Sequence, residues 1–364
     1  MLPPNGLERC SPAMFDAAFL VRRQAPGLLL SGACYAGGLF VGLAVSAFLL
    51  VQAGVPAGAL VDEFLVATFL TSDGLSQTLT AALPLVLVGL ASAVAMRVRF
   101  WNIGIEGQLW LGAVAATWVA LGGIGPEPLR LPLMLVLGAV VGAAWIALPL
   151  WLKLKWGVNE VISTLLLGSI AFLLVQHLLF GVWRDPATNF PVTAAFPEAS
   201  RFAATGWGQL HYGFLLVGAV TAALWYLLDY TRVGFYADAV GHNIKTARAA
   251  GLPVGATITG LVLLSGALSG LAGVTIIAGT EHRLSQVVGN GYLFSAIVVA
   301  YLARAKPVWV LVVALALGAV FTAGNVLKVF YSISEGMIVL VQGTVLISIL
   351  MAQFFSTYAL SRPS

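Results

Sequence analysis

Charge is what this chain has least of: 9% of its 364 residues are Asp, Glu, Lys or Arg, where soluble domains carry about 25%. Most of it therefore cannot face water. Extended polar sequence is also missing. The longest polar segment, Trp183 to His211, leaves no room for a separate catalytic domain. Sequence signatures of catalysis are absent as well. No G-x-x-x-x-G-K-[ST] run is present to cradle ATP phosphates, and neither H-E-x-x-H nor G-x-S-x-G occurs. The one adjacent pair of acids, Asp62 and Glu63, is too little to hold magnesium on a diphosphate. Histidine is limited to four scattered residues, His177, His211, His242 and His282, which argues against a metal centre. The two cysteines, Cys10 and Cys34, are not placed to pair. Acids sit at the ends of apolar runs (Glu106, Glu160, Asp229, Glu281, Glu335) and not deep within them, so no proton relay is written here. The net charge of +4 does not point to nucleic acid.

What is abundant is apolar sequence, 60% of the chain. A spanning helix needs roughly 20 apolar residues. About ten candidate spans are legible: Leu28–Ala53, Thr78–Met96, Gly104–Gly122, Leu131–Leu152, Val161–Gly181, Tyr212–Leu228, Thr257–Gly279, Tyr292–Ala303, Val308–Phe330 and Met337–Ser356. The expected fold is all-α, a polytopic transmembrane helical bundle. Residues 1–27 read as a cytoplasmic tail, 28–357 as one transmembrane domain, and 358–364 as a second cytoplasmic tail. Met14–Leu20 is expected to lie on the membrane as a short helix, and Gly58–Leu70 as an interfacial one. With the N-terminus inside, 13 of the 18 Lys and Arg fall on the cytoplasmic side. Arg130, Arg184, Arg201, Arg283 and Lys328 fall outside. That bias places both termini in the cytoplasm, the loop 229–256 inside and the loop 182–211 outside.

Two spans are short, Leu109–Gly122 and Tyr292–Ala303, the third and eighth of ten. Two five-helix halves of opposite orientation put them at equivalent places, where short Gly-flanked segments mark broken helices along a transport path. Asn102, Glu106 and Gln108 at one start, and Asn290 at the other, would then line or gate it. Glu106 is equally suited to cap its own helix. Asn159 and Glu160 open the fifth span, where a carboxylate complements a helix N-terminus. Ser265, Ser269 and Gly273, with Gly266 and Gly270, form a small-residue stripe suited to close helix packing. In the 229–256 loop, Asn243 is a good N-cap, Ile244–Ala250 a short helix and Gly251 its stop. So short a helix is marginal alone and must rest on something.

Several of these stretches resemble one family. Gly241–Leu252 is similar to the G-x-N-x-x-A-A-R-x-x-G-[IL] coupling-helix segment of ABC importer permeases of the ribose and branched-chain amino acid type, with Thr246 in place of an alanine. Phe100–Gln108 resembles the F-N-I-G-x-E-G-Q signature of its nucleoside and simple-sugar branch, and Asn159–Leu167 its N-E-V-I-x-T-L-M-L segment. Ser265–Val274 also matches, as does Gly291–Pro307, where Leu293 and Ala303 replace glycines. The resemblance implies a permease subunit of an ATP-driven importer, for nucleosides ahead of simple sugars, in a bacterial inner membrane. It implies ATP and Mg bound by partner ATPase subunits, a second permease subunit and an extracytoplasmic binding protein. Gly241, Asn243, Lys245, Ala247, Arg248, Ala250 and Gly251 would form the ATPase contact. No residue of this chain would be catalytic. A cation-coupled secondary transporter is the alternative from another class.

Overall fold

The computed structural model describes residues 19–22, 28–286, 288–289 and 291–361. Helices dominate: α1 (Leu28–Gln52), α2 (Ala57–Val61) running into a π-helical segment (Asp62–Leu70), α3 (Ser72–Arg97), α4 (Ile105–Leu121), α5 (Glu127–Trp156) and α6 (Glu160–Phe180). They continue with α7 (Gly213–Tyr230), α8 (Arg232–His242), α9 (Ile244–Ala249), α10 (Val254–Ile276), α11 (Tyr292–Leu302), α12 (Pro307–Tyr331) and α13 (Glu335–Thr357). Among the described residues, eight helices are long and apolar enough to cross a membrane. The two shorter apolar ones, Ile105–Leu121 and Tyr292–Leu302, are the two that the sequence marks as short. This is a multi-pass helical membrane protein.

The chain divides into two compact units. In the unit of residues 1–46 and 344–364, Gly38 and Gly42 let α1 approach α13 closely. A Cβ on Gly42 would lie 2.9 Å from the Val345 Cα. Here the sequence expectation needs correction. Phe19 and Leu20 are not helical: Phe19–Arg22 forms β1, antiparallel to β2 (Tyr358–Ser361), with Phe19 opposite Ser361 and Arg22 opposite Tyr358. Pairing satisfies backbone groups that a lone strand or a frayed helix end would leave open. Residues 14–18 and Arg362 lie outside the described residues.

In the unit of residues 47–343, α3 and α10 are the enclosed helices, mostly buried along their length, while α5, α6 and α7 are mostly exposed. The latter turn Val136, Leu166, Leu173 and Leu215 outward, the arrangement lipid requires. The small-residue stripe on α10 packs as its composition suggests. A Cβ on Gly270 would sit 2.1 Å from the Gly138 carbonyl oxygen, one on Gly112 2.4 Å from that of Gly270, and one on Gly142 2.3 Å from that of Gly266. Backbone meets backbone across α4, α5 and α10, where no side chain fits.

Helix ends differ from the apolar runs for physical reasons. The third helix begins at Ser72, not Thr78, because the Thr71 hydroxyl accepts from the Gly74 amide at 3.0 Å and Asp73 sits in the first turn. Hydropathy alone discards such a polar first turn. The fifth helix outlasts Leu152 and carries Lys153 and Lys155 in its last turn before Gly157 (φ 68°) stops it.

Candidate functional site

The start of α4 is held by a closed set of hydrogen bonds. The Asn102 amide donates to the Gln108 Oε1 (2.9 Å) and the Ser265 hydroxyl (3.0 Å), while its oxygen accepts from the Gln108 amide (2.8 Å) and the Gly104 N–H (3.2 Å). All three side chains are buried. An amide side chain has two donors and two acceptor positions, so Asn102 is fully committed. In this state it anchors the helix start and has no group left for a ligand. Ser265 was legible only as part of the packing stripe; it is also the α10 partner of Asn102.

Two glycines of the same motif bring α4 against α6. A Cβ on Gly104 would lie 2.8 Å from the Thr164 carbonyl oxygen, and one on Gly107 2.6 Å from the Gly168 Cα. Thr164 joins the two motifs: its hydroxyl donates to the Glu160 carbonyl (2.6 Å) and accepts from the Ile103 N–H (3.2 Å). Asn159 caps α6 through the Val161 N–H at 2.8 Å, and the Glu160 carboxylate pairs with Lys153 at the end of α5. Lys153 in turn lies 5.0 Å above the Phe100 ring. Asn159 and Glu160 thus brace the approach to α4 from outside its buried cluster.

Glu106 does something the sequence did not offer as a choice. Its carboxylate accepts from the Leu293 N–H at 3.0 Å, in the first turn of α11. It caps a helix, but the other short one. A carboxylate is favourable there, because first-turn N–H groups lack intrahelical partners and carry the positive end of the dipole. α11 follows Gly291 in the left-handed region (φ 84°), and Gly289 abuts Trp110 of α4, where a Cβ would lie 2.5 Å from the indole. The two short helices are therefore joined at their starts. Asn290 lies outside the described residues.

At the C-terminal end of α3, the helix α9 forms as its caps dictate. The Asn243 side chain accepts from the Lys245 and Thr246 N–H groups (3.0 and 3.2 Å). Gly251 (φ 75°) closes the helix, with the Leu252 N–H on the Ala247 carbonyl at 3.0 Å. Ala247 points inward, 3% exposed, while Lys245, Arg248 and Ala250 face out. Gly241 is pressed on α3: a Cβ there would lie 2.1 Å from the Arg97 carbonyl oxygen. Arg99 donates to the His242 carbonyl at 3.3 Å.

At the opposite end of α3, the 182–211 loop folds over the α10–α11 connection. Thr193, Phe196 and Phe202 N–H groups donate to the carbonyls of Leu284, His282 and Ala278 at 3.0, 2.8 and 2.9 Å. Buried Ser76 fastens the loop to α3, donating to the Trp207 carbonyl and accepting from the Gln209 and Leu210 N–H groups. His211 is buried against Phe202, and its Nδ1 accepts from the Gly213 N–H at 3.2 Å. Burial, reinforced by nearby His282, pushes its pKa down to about 4. Burial, then Arg201, lowers His282 as well.

This geometry can be set beside known proteins. The family described as branched-chain amino acid transport system / permease component matches residues 74–350. The chain belongs to this family. It is thus an ABC importer permease of the ribose and branched-chain amino acid type, a transport component and not a catalyst. It is 33% identical over 348 residues to a glucose ABC transporter permease of Haloferax volcanii, covering 93% of this chain and 91% of that one. It is 30% identical to a guanosine ABC transporter permease of Bacillus subtilis, covering 77% and 82%. A nucleoside ABC transporter permease of Lactococcus lactis is 27% identical, covering 70% and 73%. The permease takes its site from three motifs that interlock. Sequence reading missed the role of Arg97, Lys153 and Thr164, since a tether between distant elements has no periodicity to betray it.

Proposed function

We propose that this permease forms half of the membrane pathway of an ATP-driven importer for nucleosides. The observation that carries the reading is the family match over residues 74–350, with guanosine and nucleoside permeases among the relatives. The glucose ABC transporter permease of Haloferax volcanii, aligned over 348 residues, supports a simple-sugar importer as second reading. In either case residues 28–357 act as one domain of ten spans, eight long and two short, in two inverted halves in a bacterial inner membrane. The Lys and Arg bias supports cytoplasmic termini.

The pathway runs past the joined starts of α4 and α11, with Glu106 and Gln108 bearing hydrogen-bonding groups beyond those they share with protein, and with Asn102 and Asn290 as gate residues. Asn159 and Glu160 brace that gate. Loop 229–256 meets cytoplasmic ATPase subunits, which hold ATP and Mg; Asn243 and Gly251 shape α9, and Lys245, Arg248 and Ala250 face the partner. A second permease subunit completes the pathway, and an extracytoplasmic binding protein delivers the ligand to the 182–211 side. Coupling is differential packing of two states, not chemistry in this chain.

Uptake of radiolabelled guanosine by cells lacking other carriers tests the substrate. Competition by unlabelled nucleosides and not by glucose or ribose is expected. Competition by glucose alone would move the assignment to the sugar reading, and competition by amino acids alone would refute both.

A further inference from the structure

Arg97 is the last residue of α3, and its side chain is 9% exposed. One guanidinium there reaches three elements. Its Nε donates to the Ala305 carbonyl (3.2 Å), between α11 and α12. Its terminal nitrogens donate to the Leu228 carbonyl (3.2 Å) and the Asp229 carboxylate (3.3 Å) of α7, and lie 3.6 Å from the Asp238 carboxylate of α8. Two contacts, Asp229 and Asp238, therefore lie in the 229–256 loop, a third lies just before it at Leu228, and one leads to the end of α11. The backbone from Arg97 itself runs through Val98–Trp101 to Asn102 and the start of α4.

A second observation falls at the same place. Three non-glycine residues adopt left-handed backbone around this guanidinium: Arg99 (φ 54°), Arg304 (φ 51°) and Ala305 (φ 55°). Such conformations persist only where surrounding contacts impose them, and they collect at switch regions. Arg97 holds one of them through the Ala305 carbonyl. Arg99 is held from the other side by the His242 carbonyl.

We infer that Arg97 is the positioning residue through which movement of α8 and α9 reaches both short helices together: α4 through the backbone that follows it, α11 through Ala305. The inference rests on the importer reading above. A planar, multidentate guanidinium suits the task, since it fixes several acceptors at set angles where an ammonium acts as a point charge. One planar group shared by several acceptors ties their positions together, since its donors are fixed relative to one another.

The test uses the complete transporter, reconstituted with its ATPases and binding protein, and reads ligand taken up per ATP hydrolysed. Arg97→Gln should assemble with the ATPases in wild-type proportion and hydrolyse ATP at a rate within about twofold of wild type, while uptake per ATP falls at least tenfold. Arg97→Lys should fall by about threefold, because charge is kept and the fork is lost. A wild-type ratio in Arg97→Gln overturns the inference, as does an equal loss of hydrolysis and uptake, which marks mere misfolding. If the Arg97 variants cannot be recovered, Asp229→Asn combined with Asp238→Asn decides. Both carboxylates are substantially exposed, and a drop of at least threefold in uptake per ATP is expected, an unchanged ratio overturning the inference. Absence of ATP-driven uptake in the wild-type complex itself would instead bring down the importer reading, and the role of Arg97 with it.

Discussion

Removing the Glu106 carboxylate isolates the junction between the two short helices. Its hydrogen bond to the Leu293 N–H is partly buried, and a buried donor left without its partner costs about 1–3 kcal/mol. Glu106→Ala removes the acceptor and leaves the N–H without a partner, so local opening of the first turn of α11 should become easier by about 2 kcal/mol. That corresponds to roughly 30-fold in the opening equilibrium. Glu106→Gln keeps a neutral acceptor and loses about 1 kcal/mol, roughly fivefold. Amide hydrogen exchange resolved to Leu293 in nanodisc-embedded protein measures both. The order wild type, Gln, Ala is required, with exchange in α12 unchanged. Equal exchange at Leu293 in all three would refute the cross-helix cap. Uptake should decline in the same order, since the helix starts flank the proposed pathway.

Other consequences follow from the same geometry. Gly270→Ala should destabilise the α5–α10 crossing by on the order of 2 kcal/mol, seen as a lowered melting temperature, because the new Cβ would lie 2.1 Å from the Gly138 carbonyl oxygen; Gly255→Ala, with open space around it, should not. His211 folds neutral with its pKa held at about 4 from an ordinary 6.5, so between those values the unfolded state binds more protons and stability falls as pH drops. The loss should reach about 2 kcal/mol at pH 5, read as the difference between melts at pH 7 and pH 5, and His211→Phe should abolish most of that difference. Arg248→Glu on exposed α9 should leave membrane insertion intact while abolishing ligand-stimulated ATP hydrolysis; wild-type stimulation in the purified complex would show that α9 is not the ATPase contact. Cysteines introduced in the Trp183–His211 loop should react with an impermeant thiol reagent from outside and those at Lys245 should not, and labelling of both from one side would overturn the ten-span topology.

Long apolar runs and end-capping residues made most helices legible, because desolvating the backbone in lipid leaves helix as the available answer. Asn243 and Gly251 predicted α9 to within a residue at its end, since capping is local chemistry. The short α4 and α11 were visible as interrupted hydropathy. What stayed hidden is non-local. Glu106 offered two roles at its own helix, and only the fold shows that it caps α11. Ser265 looked like a packing residue and is also the partner of Asn102. Arg97 looked like one of many charges marking membrane orientation, and its ties to α7, α8 and the α11–α12 turn depend on chain crossings no pattern encodes. Phe19 and Leu20, read as part of a surface helix, pair with residues near the far end of the chain, where short-range propensity yields to a strand partner.

The importer proposed here moves ligand only when ATP is hydrolysed beside it. Proteoliposomes holding the permease, its ATPases and enclosed ATP, supplied with loaded binding protein, test it most directly. Uptake of labelled guanosine that requires ATP and binding protein together, and that collapses with a hydrolysis-dead ATPase, is the expected result. Uptake by the permease alone, driven by an imposed sodium or proton gradient and indifferent to ATP, would contradict it.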